Sequence, residues 1–411
     1  MCKLLVVVPL AVFVCLALVL HSGLLGGGGD AWDSIASPYS FSITRWEFEN
    51  VFDKWGYRVA QVFHADTLSE AEKIQTVRDY LALNQQIHPL ESALTREKAE
   101  GSGAAEDIAS QETRLAALKT ERSRLENQVE EIVERQIGAV LVEEGLSITL
   151  IQGTETRLLF PPPDFEFDER LKLLIVSARH RIETIDTVLI KPDVSLEEMQ
   201  EIEEQVEALG FSALVEPIGG VATYPSAIPQ MTSIESLLST TAHEWFHHYL
   251  FFRPLGQQYW SNYEMRTINE TVADIAGDEV GRIVYQRHYG GDSGEQVETP
   301  VEESEPAFDF NKEMREIRLA VDQYLVDGRI DEAERYMEEK RLFLARNGYY
   351  IRKLNQAYFA FHGTYADSPT SVSPIGGQVR KLREQSPSLE DFIEAVSEVT
   401  SYEELLEVVG E

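Results

Sequence analysis

The sequence predicts an α+β protein in which a mixed sheet is combined with long helical segments. Three observations indicate this fold class: an apolar run at the N-terminus, helical periodicity after residue 69, and a change at Leu146 to short β-rich runs. The predicted units are a membrane anchor and linker (1–29), a helical region with a coiled-coil hairpin (30–145), a sheet-containing domain (146–290), an acidic flexible loop (291–308) and a helical C-terminal subdomain (309–411).

The N-terminal run from Leu4 to Leu25 contains no charged side chain. As a helix of about 22 residues it would be roughly 33 Å long, which is enough to span a bilayer. Lys3 precedes the run, so the bulk of the chain is expected outside the cytoplasm. A cleaved signal peptide is the alternative, but no clear small-x-small cleavage pattern precedes Gly26. We therefore expect a single-pass cell-membrane protein with the lipid bilayer as one partner.

Two helical arms are predicted between Ser69 and Val142, with a break at Gly101-Ser102-Gly103. The first arm has apolar residues at Ile74, Val77, Leu81, Ile87 and Leu94. The second arm has them at Ile108, Leu115, Leu118, Leu125, Val129 and Ile132. Spacings of three, four and seven with charges between them are typical of an antiparallel coiled-coil hairpin. Such a hairpin would serve as a stalk or mediate self-association, and a role in substrate handling is the other interpretation.

The middle of the chain reads as strands and one amphipathic helix. Leu171–Val176 and Ile185–Ile190 are predicted strands, and Ser195–Leu209 is a predicted helix. Gly220–Ile228 is a further extended segment that its prolines assign to a sheet edge. An edge strand that faces a cleft can bind an extended peptide as an additional strand.

Composition excludes two classes of protein. The chain has 411 residues, of which 70 are acidic and 36 basic, so the formal net charge is −34. A polyanion would be repelled, and no nucleic-acid partner is expected. The two cysteines, Cys2 and Cys15, both lie in the N-terminal apolar region. The remainder of the chain therefore has no disulfide, no thiolate metal site and no cysteine nucleophile.

The HExxH sequence at residues 243–247 has the spacing of a helical metal site. A capping box predicts that its helix begins near Ser233. On this helix His243 and His247 lie one turn apart on the same face, where both imidazoles can bind one ion. Glu244 is adjacent to the first ligand and can take a proton from a water on that ion.

A catalytic zinc site has three protein ligands and one open position. A third histidine of the metzincin type is excluded, because Leu250 and Arg253 occupy the positions that it would need. Glu270, on a second predicted helix, is the best-placed third ligand. Asp274 lies one turn further on the same face and can accept a hydrogen bond from a ligating imidazole. We expect one Zn²⁺ per chain.

The combination of HExxH with a downstream Glu-x-x-x-Asp resembles the gluzincin metallopeptidases, which include thermolysin-like and neprilysin-like members. The resemblance implies a zincin-like domain with His243, His247 and Glu270 as zinc ligands, Glu244 as general base and Asp274 as the partner of His243. It also implies substrate binding along an edge strand, formed here by Gly220, Val221, Ala222, Thr223 and Tyr224. The chain departs from the family in a longer interval between the second histidine and the third ligand. The Gly-x-Met-Glu-Asn sequence of the gluzincin aminopeptidases is also absent.

A hydrogen-bond donor is needed for the oxyanion that forms during peptide hydrolysis. His362 and Tyr365, where a predicted helix ends at Gly363, are the candidates. These features predict a membrane-anchored, zinc-dependent metallopeptidase that hydrolyses peptide or protein substrates with a zinc-activated water. The alternative is a membrane-tethered coiled-coil scaffold whose zincin-like domain binds zinc without turnover, although the intact Glu244 favours the enzyme. A glycan at the sequon of Asn269 would block the site, which favours a prokaryotic cell surface.

Overall fold

The computed structural model describes residues 30–43, 45–46, 68–100, 105–149, 157–290, 308–365 and 368–411. The predicted membrane anchor and linker lie outside these ranges, as does the predicted acidic loop apart from its last residue. Within the described ranges, no helix is both long enough and apolar enough to cross a bilayer.

The N-terminal part contains one short and three long helices in its described ranges. They are α1 (Ala31–Ala36), α2 (Glu70–Glu100), α3 (Ala105–Ser123) and α4 (Glu126–Glu143). Helices α2 and α3 pack against each other as a hairpin. The second predicted arm is not continuous, because a turn at Arg124 and Leu125 separates α3 from α4. Val129 and Ile132, expected at coiled-coil positions, lie in the main hydrophobic core together with Val77 and Leu81 of the first arm, and α4 packs against α2.

Seven short strands form three separate sheets in the described part of the chain. They are β1 (Ile148–Thr149), β2 (Arg157–Leu158), β3 (Phe165–Asp168), β4 (Lys172–Ala178), β5 (Thr184–Ile190), β6 (Phe211–Pro217) and β7 (Ser226–Pro229). β1 pairs with β2 antiparallel, β3 pairs with β7 parallel, and the third sheet is antiparallel in the order β5-β4-β6. Helix α5 (Leu196–Ala208) packs against this third sheet. Two pairs and a three-stranded sheet thus stand where one mixed sheet was expected.

Helix α4 covers the edge of β3 that β7 leaves open. Oε1 of Glu134 accepts a hydrogen bond of 3.0 Å from the Phe165 N–H, and Oε1 of Glu130 accepts one of 2.9 Å from the Phe167 N–H. The glutamates are one helical turn apart and the phenylalanines are alternate strand residues, so both carboxylates meet N–H groups on the same edge. The contact attaches the helical region to the strand pair beside the site.

The helices that carry the two motifs are α6 (Ile234–Phe251) and α8 (Tyr263–His288), joined through the single turn α7 (Pro254–Gln257). Ser233 caps α6, and its side chain accepts a hydrogen bond from a first-turn N–H. Helix α8 is capped by the side chain of Asn262, which accepts a hydrogen bond from the Met265 N–H. A side-chain oxygen at each N-cap satisfies a backbone donor that the helix itself leaves unpaired.

Two glycines allow α6 and α8 to pack closely. A Cβ atom at Gly277 would lie 2.8 Å from the backbone nitrogen of His243, and one at Gly281 would lie 2.8 Å from that of Ser239. Both distances are shorter than non-bonded atoms tolerate, so a larger residue would force the helices apart. The close crossing brings the face of α8 that carries Glu270 next to the two histidines.

The regular elements in the described residues of the C-terminal part are all helices. It contains α9 (Phe310–Val326), α10 (Ile330–Arg346), α11 (Gln356–His362), α12 (Ile375–Gln385), α13 (Leu389–Ser397) and α14 (Tyr402–Val409). Helices α9, α10 and α11 share a small core of their own. Helices α12 to α14 join α2, α4, α6 and α8 in the main core, so the motif helices are buried between the N-terminal and C-terminal helices.

Candidate metal centre and active site

Three potential ligand atoms from α6 and α8 converge at one point. The Nε2 atoms of His243 and His247 are 2.9 Å apart, and Oε2 of Glu270 lies 3.5 Å from each of them. All three atoms lie within 4.8 Å of one another. Two imidazoles and one carboxylate in this arrangement could hold a metal ion.

The outer nitrogen of each imidazole meets an oxygen atom. Nδ1 of His243 lies 2.9 Å from Oδ1 of Asp274, and Nδ1 of His247 lies 2.9 Å from Oδ1 of Asn269. An ionised carboxylate and an amide oxygen only accept hydrogen bonds, so Nδ1 of each ring carries the hydrogen. In the neutral rings both Nε2 lone pairs then point towards Glu270, as metal ligation requires.

Glu270 is fixed on its outer side by a tyrosine. Tyr259 lies in the connection between α7 and α8, and its hydroxyl donates a hydrogen bond of 2.5 Å to Oε1 of Glu270. The ring also packs edge-on against His247. This contact occupies one carboxylate oxygen and leaves Oε2 free to face the histidines.

The carboxylates around His243 and His247 favour the protonated forms of both rings. Burial opposes protonation of His243 and His247, but the neighbouring carboxylates outweigh burial and raise the pKa of both rings. Burial likewise opposes ionisation of Glu270, but the two histidines hold its pKa well below its usual range. A bound cation would take over the role of these protons, so metal binding should release them.

Glu244 is buried beside the three potential ligands. Burial raises its pKa above the usual range, and the nearby histidines oppose this shift. Its carboxyl group lies directly against Gly220, where an added Cβ atom would be 3.0 Å from the carboxyl carbon. Because Gly220 has no Cβ atom, the carboxyl group of Glu244 can occupy this space.

The segment Gly220–Tyr224 borders the site but forms no strand of its own, whereas the last part of the predicted extended segment, from Ser226 to Ile228, lies in β7. Val221 exchanges two backbone hydrogen bonds of 3.0 Å with Ala227, and this single bridge turns the segment back on β7. Because the backbone of Val221 is paired in this turn, it is not free to pair with a peptide. The first four residues of the segment line the cleft. Tyr224 does not: it is 2% exposed and packs against aromatic side chains at Phe160, Phe251 and Phe252.

His248 attaches this segment to α6. Its Nε2 donates a hydrogen bond of 2.7 Å to the carbonyl oxygen of Thr223. Burial lowers the pKa of His248 to about 4, so the ring is neutral near pH 7. His248 thus holds the turn containing Gly220 against the helix that carries Glu244.

His362 and Tyr365, at the end of α11 and just beyond it, both line the cleft. Burial raises the pKa of Tyr365 well above its usual range, and the charge of Glu270 adds to the effect. Its hydroxyl thus keeps its proton and can act as a donor. His362 packs on Tyr358 with ring centroids 4.2 Å apart, and burial lowers its pKa to about 4. Nε2 of His362 is buried and meets no hydrogen-bond partner among the described residues.

The site opens into a cleft of about 1090 Å³. Its lining includes residues of helices α6 and α8, of the edge strand β5 and of the segment 40–43. Part of the β5 edge is already paired, since Phe41 N–H donates a hydrogen bond of 2.8 Å to the carbonyl of Leu189. The strand along the cleft is thus β5 and not the Gly220 segment. A cleft of this size accommodates a ligand larger than a few atoms.

No sequence pattern predicted a role in the site for four residues that line the cleft: Tyr259, Trp260, Arg266 and Asn269, the last of which was considered only as a glycosylation sequon. Asn269 directly precedes the third potential ligand, which is a signal available in the sequence. Tyr259 and Trp260 lie in the connection between two helices, where no periodicity predicts the direction of a side chain. Arg266 lies four residues, or about one turn, before Glu270 on α8. The helix spacing therefore predicts that both side chains lie on the same face.

No known protein family, curated protein or solved structure matches the chain. The geometry of the site and the motif in the sequence are therefore the observations from which a function can be inferred.

Proposed function

We propose that the chain is a zinc-dependent metallopeptidase of the gluzincin type. One observation carries this proposal: two histidines and a glutamate converge at the wall of an open cleft, with a buried glutamate between the histidines in the sequence. His₂Glu is a donor set of catalytic zinc sites, which keep a further position open for water or substrate. A purely structural zinc site would be closed by a fourth protein ligand.

The chemical roles follow from the positions of the side chains. Zinc at this site would lower the pKa of a water to about 7 and polarise a carbonyl group. Glu244 would accept the proton of the attacking water and deliver it to the leaving amine, and its raised pKa makes the protonated state accessible. Tyr365, which keeps its proton, would donate a hydrogen bond to the carbonyl oxygen as charge develops there.

The positioning residues keep this arrangement ready for substrate. Asp274 and Asn269 hold the imidazoles, and Tyr259 holds Glu270. Gly220 and the contact of His248 with Thr223 keep the wall of the cleft close to Glu244. Because these groups are fixed by hydrogen bonds before substrate arrives, little reorganisation is needed during the reaction.

Two variants test the proposal. Glu270→Ala should lose bound zinc while its circular dichroism spectrum stays that of the parent chain. Glu244→Gln should keep one zinc per chain but lose peptide hydrolysis by roughly 100-fold or more, since an amide cannot accept the proton. Glu197→Gln, an exposed glutamate on α5, is the control for both measurements. Zinc binding without hydrolysis of any peptide by the parent chain would instead favour the non-catalytic scaffold.

Membrane attachment is a second part of the proposal and depends on the sequence alone. The uncharged run from Leu4 to Leu25, preceded by Lys3, would anchor the chain and leave the site outside the cytoplasm. The full-length chain should then remain in the membrane pellet after a carbonate wash, and a chain that begins at Asp30 should be released.

A further inference from the structure

Arg266 differs from the other residues around the cleft in its charge. Among the described residues that line the cleft, it is the one lysine or arginine. The carboxylates along the same walls include Asp33, Asp186, Asp274 and Asp278. A cationic group in this setting is a distinct local feature, because the surrounding walls repel anions.

The guanidinium of Arg266 is held by aromatic rings and not by a carboxylate. Its central carbon lies 4.8 Å from the ring centroid of Trp260 and 5.6 Å from that of Tyr259. Nε is buried, and no described residue offers it a hydrogen-bond acceptor. The hydrogen bonds and ion pairs found among the described residues include none from this side chain. By contrast, Arg352 and Arg383 donate hydrogen bonds to Glu203 and Glu279.

A buried guanidinium donor without an acceptor is costly unless a ligand supplies one. Cation–π contacts with Trp260 and Tyr259 fix the plane of the group without using its N–H donors. Trp260 is 50% exposed and, like Arg266, lines the cleft, so a ligand in the cleft can reach these two side chains. The planar fork of an arginine matches a carboxylate in a bidentate arrangement.

The position of Arg266 relative to the metal-binding group follows from the helix. Arg266, Glu270, Asp274 and Asp278 recur every four residues along α8, and all four line the cleft. Neighbours in this row are about 6 Å apart along the axis, so the cationic end and the Asp278 end are separated by roughly 18 Å. The cleft therefore carries a positive charge on the Arg266 side of the metal-binding group and a negative charge on the Asp278 side.

We propose that Arg266 binds a carboxylate of the substrate on the Trp260 side of the metal-binding group. The carboxylate is either the C-terminal one of a peptide or the side chain of an aspartate or glutamate. This inference rests on the proposed peptidase function and deepens it, because it names an acidic group of the substrate and its place; where this group is the C-terminus, it also assigns the direction of the bound chain. The carboxylate lies towards Arg266, and amino or basic groups lie towards Asp278.

The test measures binding, so that it does not depend on turnover. The full-length, zinc-loaded Glu244→Gln chain is immobilised and exposed to three mixtures of N-acetylated hexapeptides built from Ala, Gly, Ser, Leu and Phe. The first mixture has a free C-terminal carboxylate, the second has a C-terminal amide, and the third has the amide and one internal glutamate. We expect retention of the first or the third mixture to exceed that of the second by about tenfold, as a charge-assisted bidentate contact would give.

The first and third peptide mixtures distinguish the two sources of the carboxylate. A preference for the first mixture identifies the C-terminus, and a preference for the third identifies an acidic side chain. Arg266→Gln in the same background should remove the preference, and Arg266→Lys should keep part of it. Arg282→Gln changes an exposed arginine on the same helix outside the cleft and should leave the preference intact. Zinc content of each variant reports whether the site is still formed.

Three results would overturn the inference: equal retention of all mixtures, retention of none of them, or a preference that survives in Arg266→Gln. The first two are measured with Arg266 in place, so they hold even if its variants do not fold. Hydrolysis of the same mixtures by the parent chain is scored separately. If the parent chain hydrolyses none of the mixtures but shows a preference that depends on Arg266, the peptidase function is rejected and the carboxylate-binding role of Arg266 is kept.

Discussion

Gly220 lies so close to Glu244 that a Cβ atom on the glycine would be 3.0 Å from the carboxyl carbon of the glutamate. The backbone at Gly220 and the buried carboxyl group of Glu244 are therefore in direct contact. The adjacent Gly219 has open space at the corresponding position. This difference between neighbouring glycines provides a matched pair of variants.

Gly220→Ala should lower kcat by roughly 100-fold, because a displacement of the base by about 1 Å is enough for such a loss. The zinc content should be unchanged, since the glycine contacts none of the three potential ligands. Gly219→Ala should keep both turnover and zinc. Peptide hydrolysis and metal analysis on the two variants decide the matter, and equal activity would show that the contact has no role in positioning Glu244.

Asp274→Asn should weaken zinc binding by about 10- to 100-fold, because the carboxylate that orients His243 is replaced by a neutral amide. Asp278→Asn is the matched control one turn further along α8, where the side chain is exposed. Competition with a chelator of known affinity measures both constants. Identical affinities for the two variants would contradict an orienting role of Asp274.

Tyr259→Phe and Tyr365→Phe should separate two tyrosine functions. Loss of the Tyr259 hydroxyl removes the hydrogen bond to Glu270 and should weaken zinc binding. Loss of the Tyr365 hydroxyl should leave zinc binding intact and lower kcat by about 100- to 1000-fold, with little change in KM. Zinc titration and steady-state kinetics on both variants test this division, which fails if both variants lose the same property.

The stability of the chain should depend on pH through His362. Burial lowers the pKa of this ring to about 4, so the folded state favours the neutral form. Between pH 6.5 and 4 the unfolded chain binds more protons at this position than the folded chain. The unfolding free energy that depends on keeping His362 neutral is fully present above about pH 6.5. It is lost as the pH falls towards 4, and the total loss is about 3 kcal/mol.

His362→Phe keeps an aromatic ring and cannot titrate. The difference in unfolding free energy between the parent chain and this variant should therefore shift in favour of the variant as the pH falls from 7 to 4.5. Urea unfolding at several pH values measures it. His180→Phe, at an exposed position, is the control and should follow the parent chain. A pH-independent difference for His362→Phe would show that the ring does not titrate on unfolding.

Local signals in the sequence determined several features of the site. The four-residue spacing of His243 and His247 places both rings on one face of any helix, and the same holds for Glu270 and Asp274. The capping signal of Thr232 and Glu235 predicted a helix start near Ser233, and the helix begins one residue later with Ser233 as its N-cap. Such features depend on residues within one or two turns of each other, so the fold as a whole is not needed to predict them.

Tertiary structure decided the features that depend on contacts between distant segments. The heptad pattern of the second helical arm continues into α4, but the turn at Arg124 and Leu125 divides the arm, and Val129 and Ile132 become part of the main core that α6, α8 and the C-terminal helices share. Gly220–Ile228 was expected to be one extended segment, yet only its last part is a strand, and the bridge between Val221 and Ala227 folds its first part into a turn. In both cases the local pattern suits two environments, and the long-range packing selects one of them.

The sequence alone predicts which side chains of the HExxH helix, and of the helix that follows it, share a face, because helical periodicity fixes their spacing around the axis. Only the tertiary structure placed Tyr259 on Glu270, Gly220 against Glu244 and Arg266 beside Trp260. The direction of a side chain in a turn is set by the surfaces that pack around it. No spacing rule encodes those surfaces, since they come from segments far apart in the chain.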